Sequence, residues 1–414
     1  MLILVGLLVA GLPSAQAQDR PPAANIDVVQ VDWDDTTNSV KVTTALSLNG
    51  LAVCPGSDRG DYLVRVGESA EDNYLGGALL SSVRQNGRRS YGTNGYAVSM
   101  AHVATNGCRI STAVPTSASA GNSAEFNVNV AAAWFPYSNF LAGTALNSTG
   151  ANGGTNDWFI GSPGLVMGTH FKGITAGKSV VDLRSFGIDS RSNGVLLVAS
   201  AKDENNFALS QVNTTNGTWN VFLRDNAQST YATYEQDPVA FVFIPKTNTT
   251  LISGRFNGDG SIAAFSGDTP QFTVTNTGTG QWELKIPGHT PAGGVLIISP
   301  EGGGDTNGDN IVSYQANTGG DGWVIQSRDT PYNALETPTT TTGAPEAVAS
   351  FVFIPSPGAT LVSPDIHNQN ATIAPVLQVA VSNAVSSNLK VTFYGREAAT
   401  PFPGPDFCIV AMPD

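Results

Sequence analysis

A repeat of about 100 residues sets the first limit on what this chain can become. Gly194-Val195-Leu196-Leu197-Val198, Thr215-Asn216-Gly217-Thr218-Trp219-Asn220-Val221 and Val239-Ala240-Phe241-Val242-Phe243-Ile244-Pro245 form the first clear set. They return in order as Gly294-Val295-Leu296-Ile297-Ile298, Asp321-Gly322-Trp323-Val324-Ile325 and Ser350-Phe351-Val352-Phe353-Ile354-Pro355. A fainter copy runs through Leu63-Val64-Arg65-Val66, Thr93-Asn94-Gly95-Tyr96-Ala97-Val98 and Phe126-Asn127-Val128-Asn129-Val130 to Trp134-Phe135-Pro136. The period is too long for a short-repeat solenoid and suits one small domain per copy.

The repeats read as strands. Val40, Val42, Thr44, Leu46 and Leu48 alternate with polar neighbours, as do Phe126, Val128 and Val130, and Leu389, Val391 and Phe393. That period of two marks strands with one wet face. The runs Val195 to Val198, Val295 to Ile298 and Phe351 to Ile354 are apolar at every position, which predicts inner strands covered on both faces. Nine Asn-Gly dipeptides punctuate the chain, among them Asn106-Gly107, Asn216-Gly217 and Asn257-Gly258. Both residues accept the positive φ of a tight hairpin turn. The expected fold class is all-β, with tandem antiparallel β-sandwich repeats of jelly-roll or Ig-like type.

The expected units are a diverged first sandwich over 18–150, a second over 165–262 and a third over 268–364. A partial hairpin unit over 375–400 and a linker with a last strand over 401–414 follow. Each sandwich is expected to open with an exposed hairpin, at Val28 to Leu48, Phe171 to Phe186 and Phe272 to Ile286. In the last unit Val379 and Val381 are expected to pair with Leu389, Val391 and Phe393.

Composition narrows the partners. Charged residues make up only 13% of the 414 residues and the formal net charge is -13. No basic stripe is available to neutralise phosphates, so nucleic acid is not an expected partner. Residues 1–17 read as a secretory signal: an apolar run from Leu2 to Leu12, then Ala15-Gln16-Ala17 before Gln18, although no Lys or Arg precedes the run. No later segment has the length of a transmembrane helix, so a secreted or cell-surface protein, of bacterial type, without a transmembrane anchor is expected. Cys54 and Cys108 both fall in the first copy and are expected to form a disulfide local to it, leaving Cys408 as a strand thiol.

Residues with chemical potential are few. Asp305, Asn307 and Asp309 place alternate oxygen ligands as a calcium loop does, but Ala316 stands where such a loop carries its closing Glu, so the expectation is at most a calcium-stiffened turn. Trp219 and Trp323 follow tight turns, where an aromatic either plugs the end of a sandwich core or stacks on a sugar ring of a polysaccharide. The four histidines are far apart, and no nucleophile elbow, phosphate loop or His-Glu-x-x-His is present.

The C-terminal stretch differs in kind. Pro401-Phe402-Pro403-Gly404-Pro405 precedes Asp406-Phe407-Cys408-Ile409-Val410-Ala411-Met412-Pro413-Asp414, a short apolar strand that delivers a carboxylate. Phe407 to Asp414 resembles the opening strand of secreted calcineurin-like metallophosphoesterases, in which a Phe-x-Ile-Val-x-x-Pro-Asp strand follows β-rich accessory regions. The resemblance implies that Asp414 is a metal ligand, that divalent metal ions are the cofactor, and that the family's remaining Asp, Asn and His motifs would lie beyond it. It covers about nine residues. The expectation is thus a secreted, non-catalytic β-repeat accessory region of a larger metal-dependent phosphoesterase, inactive alone; the alternative is a complete cell-surface or extracellular adhesive, carbohydrate-binding repeat protein.

Overall fold

The structure is a computed structural model that describes residues 26–34, 39–46, 52–55, 61–65, 76–86, 98–104, 107–115, 123–125, 128–146, 158–202, 206–225, 234–302, 310–329, 334–339, 346–355, 361–362, 380–381, 389–395 and 407–413. The regular structure of the described chain is nearly all antiparallel strand, in tandem β-sandwiches. No helix among the described residues is long and apolar enough to cross a membrane.

Three sandwiches share one strand plan. The first uses β1 (Asp27–Asp34), β2 (Ser39–Leu46), β3 (Ala52–Pro55), β4 (Asp61–Arg65), β5 (Gly77–Val83), β6 (Val98–Ala104), β7 (Gly107–Pro115) and β9 (Val130–Pro136), with β8 (Ser123–Glu125) as an extra strand on β7. The second uses β10 (Leu141–Leu146), β11 (Trp158–Gly161), β12 (Phe171–Thr175), β13 (Lys178–Val181), β14 (Gly194–Ser200), β15 (Asn206–Asn213), β16 (Thr218–Asp225) and β17 (Val239–Pro245). The third uses β18 (Ile252–Asn257), β19 (Ile262–Phe265), β20 (Thr273–Gly278), β21 (Gln281–Lys285), β22 (Gly294–Pro300), β23 (Ile311–Ala316), β24 (Trp323–Arg328) and β25 (Ala347–Pro355). One sheet of each runs β2-β1-β9-β5, β11-β10-β17-β14 or β19-β18-β25-β22, and the other runs β3-β4-β7-β6, β12-β13-β16-β15 or β20-β21-β24-β23.

This plan redraws the units. The opening hairpins of the second and third sandwiches are β10-β11 and β18-β19, so the second begins at Leu141 and the third at Ile252. Phe171 to Val181 and Thr273 to Lys285 are second hairpins, equivalent to β3-β4 and not to β1-β2. The first copy also shifts. Its inner strand is Gly77–Val83, whereas Leu63 to Arg65 belongs to β4; the counterpart of the Trp strands is β7, which begins at Gly107, and the Asn94-Gly95-Tyr96 stretch lies outside the described residues.

The last strands pair differently from expectation as well. β26 (Leu361–Val362) pairs with β27 (Ala380–Val381), and β28 (Leu389–Gly395) pairs antiparallel with β29 (Phe407–Pro413), Tyr394 opposite Cys408. In the first sandwich Cys54 stands opposite Leu63 and Cys108 opposite Val64, so β4 lies between the two cysteine strands. Strands two places apart are separated by about 10 Å, beyond the roughly 7 Å that a disulfide spans between Cα atoms. This register does not seat the expected Cys54–Cys108 bridge.

The fully apolar runs are explained by two different cores. Along β14, Leu196 and Val198 enter the second sandwich's own interior with Trp219, Phe241 and Phe243. Val195, Leu197 and Ala199 point the other way, into a core that also holds Ile26, Val28, Ala78, Leu80, Ala133, Val295 and Ile297. β17 divides likewise, Phe241 and Phe243 inward, Ala240, Val242 and Ile244 into the shared core. The period of two is intact, but both faces meet apolar partners. The second face is covered by the other sandwiches.

Candidate functional site

The place where the three sandwiches meet is the most built feature of the molecule. β5, β14 and β22 are equivalent edge strands, each at the end of its sheet order. An edge strand carries unpaired backbone N–H and C=O groups, and burying them without partners is costly. Here serine hydroxyls from the neighbouring sandwich complete the edge. The Ile298 N–H donates to Ser82 Oγ at 2.9 Å, and the same hydroxyl donates to the Ile298 carbonyl at 2.9 Å. One position later around the ring, the Val198 N–H donates to Ser299 Oγ at 3.0 Å and that hydroxyl donates to the Val198 carbonyl at 2.9 Å.

Strand alignment makes Ser82, Ala199 and Ser299 equivalent, and likewise Ser81, Val198 and Ile298, because Gly77, Gly194 and Gly294 pair with Pro136, Pro245 and Pro355. The first sandwich therefore clamps the third, and the third clamps the second. β14 of the second in turn lies against β5 and β6 of the first, which closes the ring. The three sandwiches form a pseudo-threefold assembly within one chain, with heterologous, head-to-tail contacts that close.

Other polar contacts differ from seam to seam. Between the first and third sandwiches, Gln30 Nε2 donates to the Gly294 carbonyl at 2.6 Å, Asn86 Nδ2 donates to the Val324 carbonyl at 2.7 Å, and Ser313 Oγ donates to Asn86 Oδ1 at 2.8 Å. Between the third and second, the Gly302 N–H donates to the Ser210 carbonyl at 3.1 Å and Gln211 Nε2 donates to Glu346 Oε1 at 3.0 Å. Glu301 sits beside Ser210 with its side chain fully enclosed. Arg255 Nε approaches Glu301 Oε2 to 2.6 Å, although its N–H is not aimed at that oxygen, and Ser350 Oγ donates to Glu301 Oε1. Burial pushes the Glu301 carboxyl upward, against the opposing pull of Arg255. The equivalent positions in the second sandwich are Ala201, Thr144 and Ala240.

Trp219 and Trp323 are core residues, each 1% exposed. Their rings meet Phe243 and Phe353 edge-on, at centroid distances of 5.5 and 5.4 Å. Phe243 and Phe353 in turn lie over Gly194 and Gly294, where an added Cβ would strike the ring and the Ile244 or Ile354 carbonyl. Gly77 stands under Trp134 in the same way. The recurrent Gly, Phe and Trp of the sequence are therefore one interlocking plug; of the two roles open to Trp219 and Trp323, core plug or sugar platform, their burial matches the plug, since neither indole reaches solvent.

Asp305, Asn307, Asp309 and Asp414 lie outside the described residues. Asn206 and Asn310, which flank such clusters, are buried at strand starts: Asn206 Nδ2 donates to Asp237 and Asn310 Nδ2 donates to Ser327 Oγ at 3.1 Å. Among the described residues no three His, Cys, Asp or Glu side chains group closely enough to hold a metal ion.

A serine–histidine contact invites a catalytic reading and its wiring excludes one. His170 Nε2 lies 2.8 Å from Ser185 Oγ, while Nδ1 accepts the Val166 N–H at 2.9 Å. An Nδ1 that accepts carries no proton, so the proton of the neutral ring is on Nε2 and the ring donates to the serine. A general base must do the reverse. Nearby, the Arg184 guanidinium, aided by Lys172, holds the Asp182 carboxyl well below the usual carboxylate range, and Arg191 holds Asp189 down at about 2. These pairs brace the loop around the short 3-10 turn Arg184–Phe186. Sequence reasoning missed Ser82, Ser299 and Glu301, since single polar residues in apolar strands carry no pattern.

No family model, curated protein or solved structure matches this chain.

Proposed function

We propose that the chain is an exported, non-catalytic accessory module: a rigid three-sandwich block that supports a metal-dependent phosphoesterase domain joined after β29. The observation that carries the module reading is the shared core, in which the inner strands of all three sandwiches bury their second face together. A string of independent domains would leave those faces to solvent. The phosphoesterase part rests on the Phe407 to Asp414 pattern alone, with Asp414 as the metal ligand and divalent metal as the cofactor. The adhesive alternative loses its aromatic platform with the burial of Trp219 and Trp323.

The test has two arms. The purified chain, supplied with Mn²⁺ and p-nitrophenyl phosphate, is expected to show no hydrolysis above buffer; turnover abolished by chelation would overturn the non-catalytic reading. The coding sequence after Asp414 is expected to continue into Gly-Asp and Asn-His-Glu motifs, and a stop codon there removes the phosphoesterase while leaving the rigid block standing.

A further inference from the structure

The register of the first sandwich sorts the chain's three cysteines. Cys54 stands opposite Leu63 and Leu63 opposite Arg109, so these three positions share one face of their sheet. Cys108, next to Arg109 in β7, takes the other face together with Ile110 and Thr112, both 0% exposed. Cys108 is therefore on the core side and Cys54 on the outer side. Cys54 has a different neighbour. Its strand β3 is the edge of the sheet, and β29, which carries Cys408, lies against β3 and reaches β2. Cys108 stands two strands further in from that edge, about 10 Å away.

We propose that Cys54 and Cys408 form a disulfide that staples the hairpin β28-β29 to the outer edge of the first sandwich, with Cys108 left as a core thiol. The proposal rests on the export reading above, because a disulfide persists in an oxidising compartment. The oxidant is a disulfide of that compartment. The Cys54 thiolate attacks one of its sulfurs to give a mixed disulfide, and the Cys408 thiolate then attacks Cys54 Sγ. The oxidant leaves as two thiols, carrying the two electrons and, overall, the two protons that the cysteines lose. The bridge does two things for the fold. It holds a cover at an edge whose backbone groups are otherwise unpaired, and it closes a loop running through all three sandwiches, where a cross-link takes most freedom from the unfolded chain.

Each cysteine falls on its own tryptic peptide, 42–59, 90–109 and 397–414, so the pairing can be read directly. The full chain is folded in the presence of oxidised glutathione, the remaining thiols are alkylated after unfolding, and the digest is mapped by mass spectrometry without reduction. The expected product is 42–59 linked to 397–414, with 90–109 alkylated. Any other pairing, a glutathione adduct at Cys54 or Cys408, or three alkylated cysteines overturns the proposal. In Cys408→Ser the folded chain is expected to expose Cys54 to alkylation while Cys108 stays closed until unfolding; the reverse order overturns it as well. Export is read separately, from the N-terminus of the chain recovered outside bacterial cells that express it, which is expected to be Gln18. A bridge formed with glutathione in a chain that keeps residues 1–17 in the cell would remove the export reading and leave the pairing of strands standing.

Discussion

The second and third sandwiches share a plug and differ at their seams. Gly194, Phe243 and Trp219 in one match Gly294, Phe353 and Trp323 in the other, ring for ring. Yet where the third carries Ser299, Glu301, Arg255 and Ser350, the second carries Ala199, Ala201, Thr144 and Ala240. The plug answers a demand internal to any sandwich of this plan, that of filling the space between its two sheets. The seam residues answer a demand that depends on the neighbour. Hydrophobic burial is non-directional, whereas a hydroxyl or a buried ion pair works in one register only, so it is the polar residues that distinguish one seam from the next.

The largest test of this contrast lies in the plug. Trp323→Ala should cost about 3–5 kcal/mol, the range for truncating a large core aromatic, and Trp219→Ala should cost a similar amount. Equilibrium denaturation would show it, and a loss confined to one of the pair would break the claim that the plugs are equivalent.

The buried charges come next. Glu301→Ala alone should destabilise by about 3 kcal/mol, because it strands Arg255 without its partner. Transplanting the second sandwich's solution, Glu301→Ala with Arg255→Thr and Ser350→Ala, should recover most of that loss, since replacing a whole buried ionic group by apolar ones is often neutral or better. A triple variant as unstable as the single one would mean that the cluster acts through more than its own pairing.

The clamps are worth less. Ser299→Ala should cost roughly 1–3 kcal/mol, because the buried Val198 N–H and carbonyl lose their partner together. Ser82→Ala should do the same at Ile298. Native-state hydrogen exchange would localise the effect, with faster exchange at the Val198 amide in the first variant and at the Ile298 amide in the second.

The smallest expected effect is the dependence on pH, and its sign differs between the two sandwiches. Asp182 and Asp189 in the second have carboxyls lowered below the unfolded value of about 3.9. Their contribution is present above that value and fades as pH falls toward 2. Glu301 in the third is raised by burial, so its contribution is present below the unfolded value of about 4.3 and is lost as pH rises through its folded value. Melting temperature followed from pH 2 to 8 should therefore fall on the acid side less steeply in an Asp182→Asn, Asp189→Asn variant, and Glu301→Gln should flatten the upper side.

Much of the fold was legible along the chain. The glycine-led apolar runs mark β14 and β22, the Phe-Val-Phe-Ile-Pro stretches mark β17 and β25, and their lack of polar positions announces two covered faces. The first copy was harder to place. Ala132 and Ala133 replace the larger Phe and Val of the later eighth strands, and Arg65 interrupts the segment that most resembled an inner strand. Only pairing shows that Gly77–Val83 holds the inner place, because it lies beside β9. Ser82 and Ser299 were silent for a simpler reason: a serine in an apolar strand reads as a minor interruption unless its distant partner is known, and those partners lie 216 and 101 residues away.

The sequence by itself determined that the chain makes strands, that it makes them in three related sets, and that the inner strands need cover on both sides. It could do so because strand period, turn chemistry and apolar content are local. Tertiary structure alone decided what supplies the second cover: the other two sandwiches, arranged in a closed ring. An apolar face specifies that it must be buried but not by what, and the groups that choose the partner are a few hydroxyls and amides whose meaning exists only once the ring has closed.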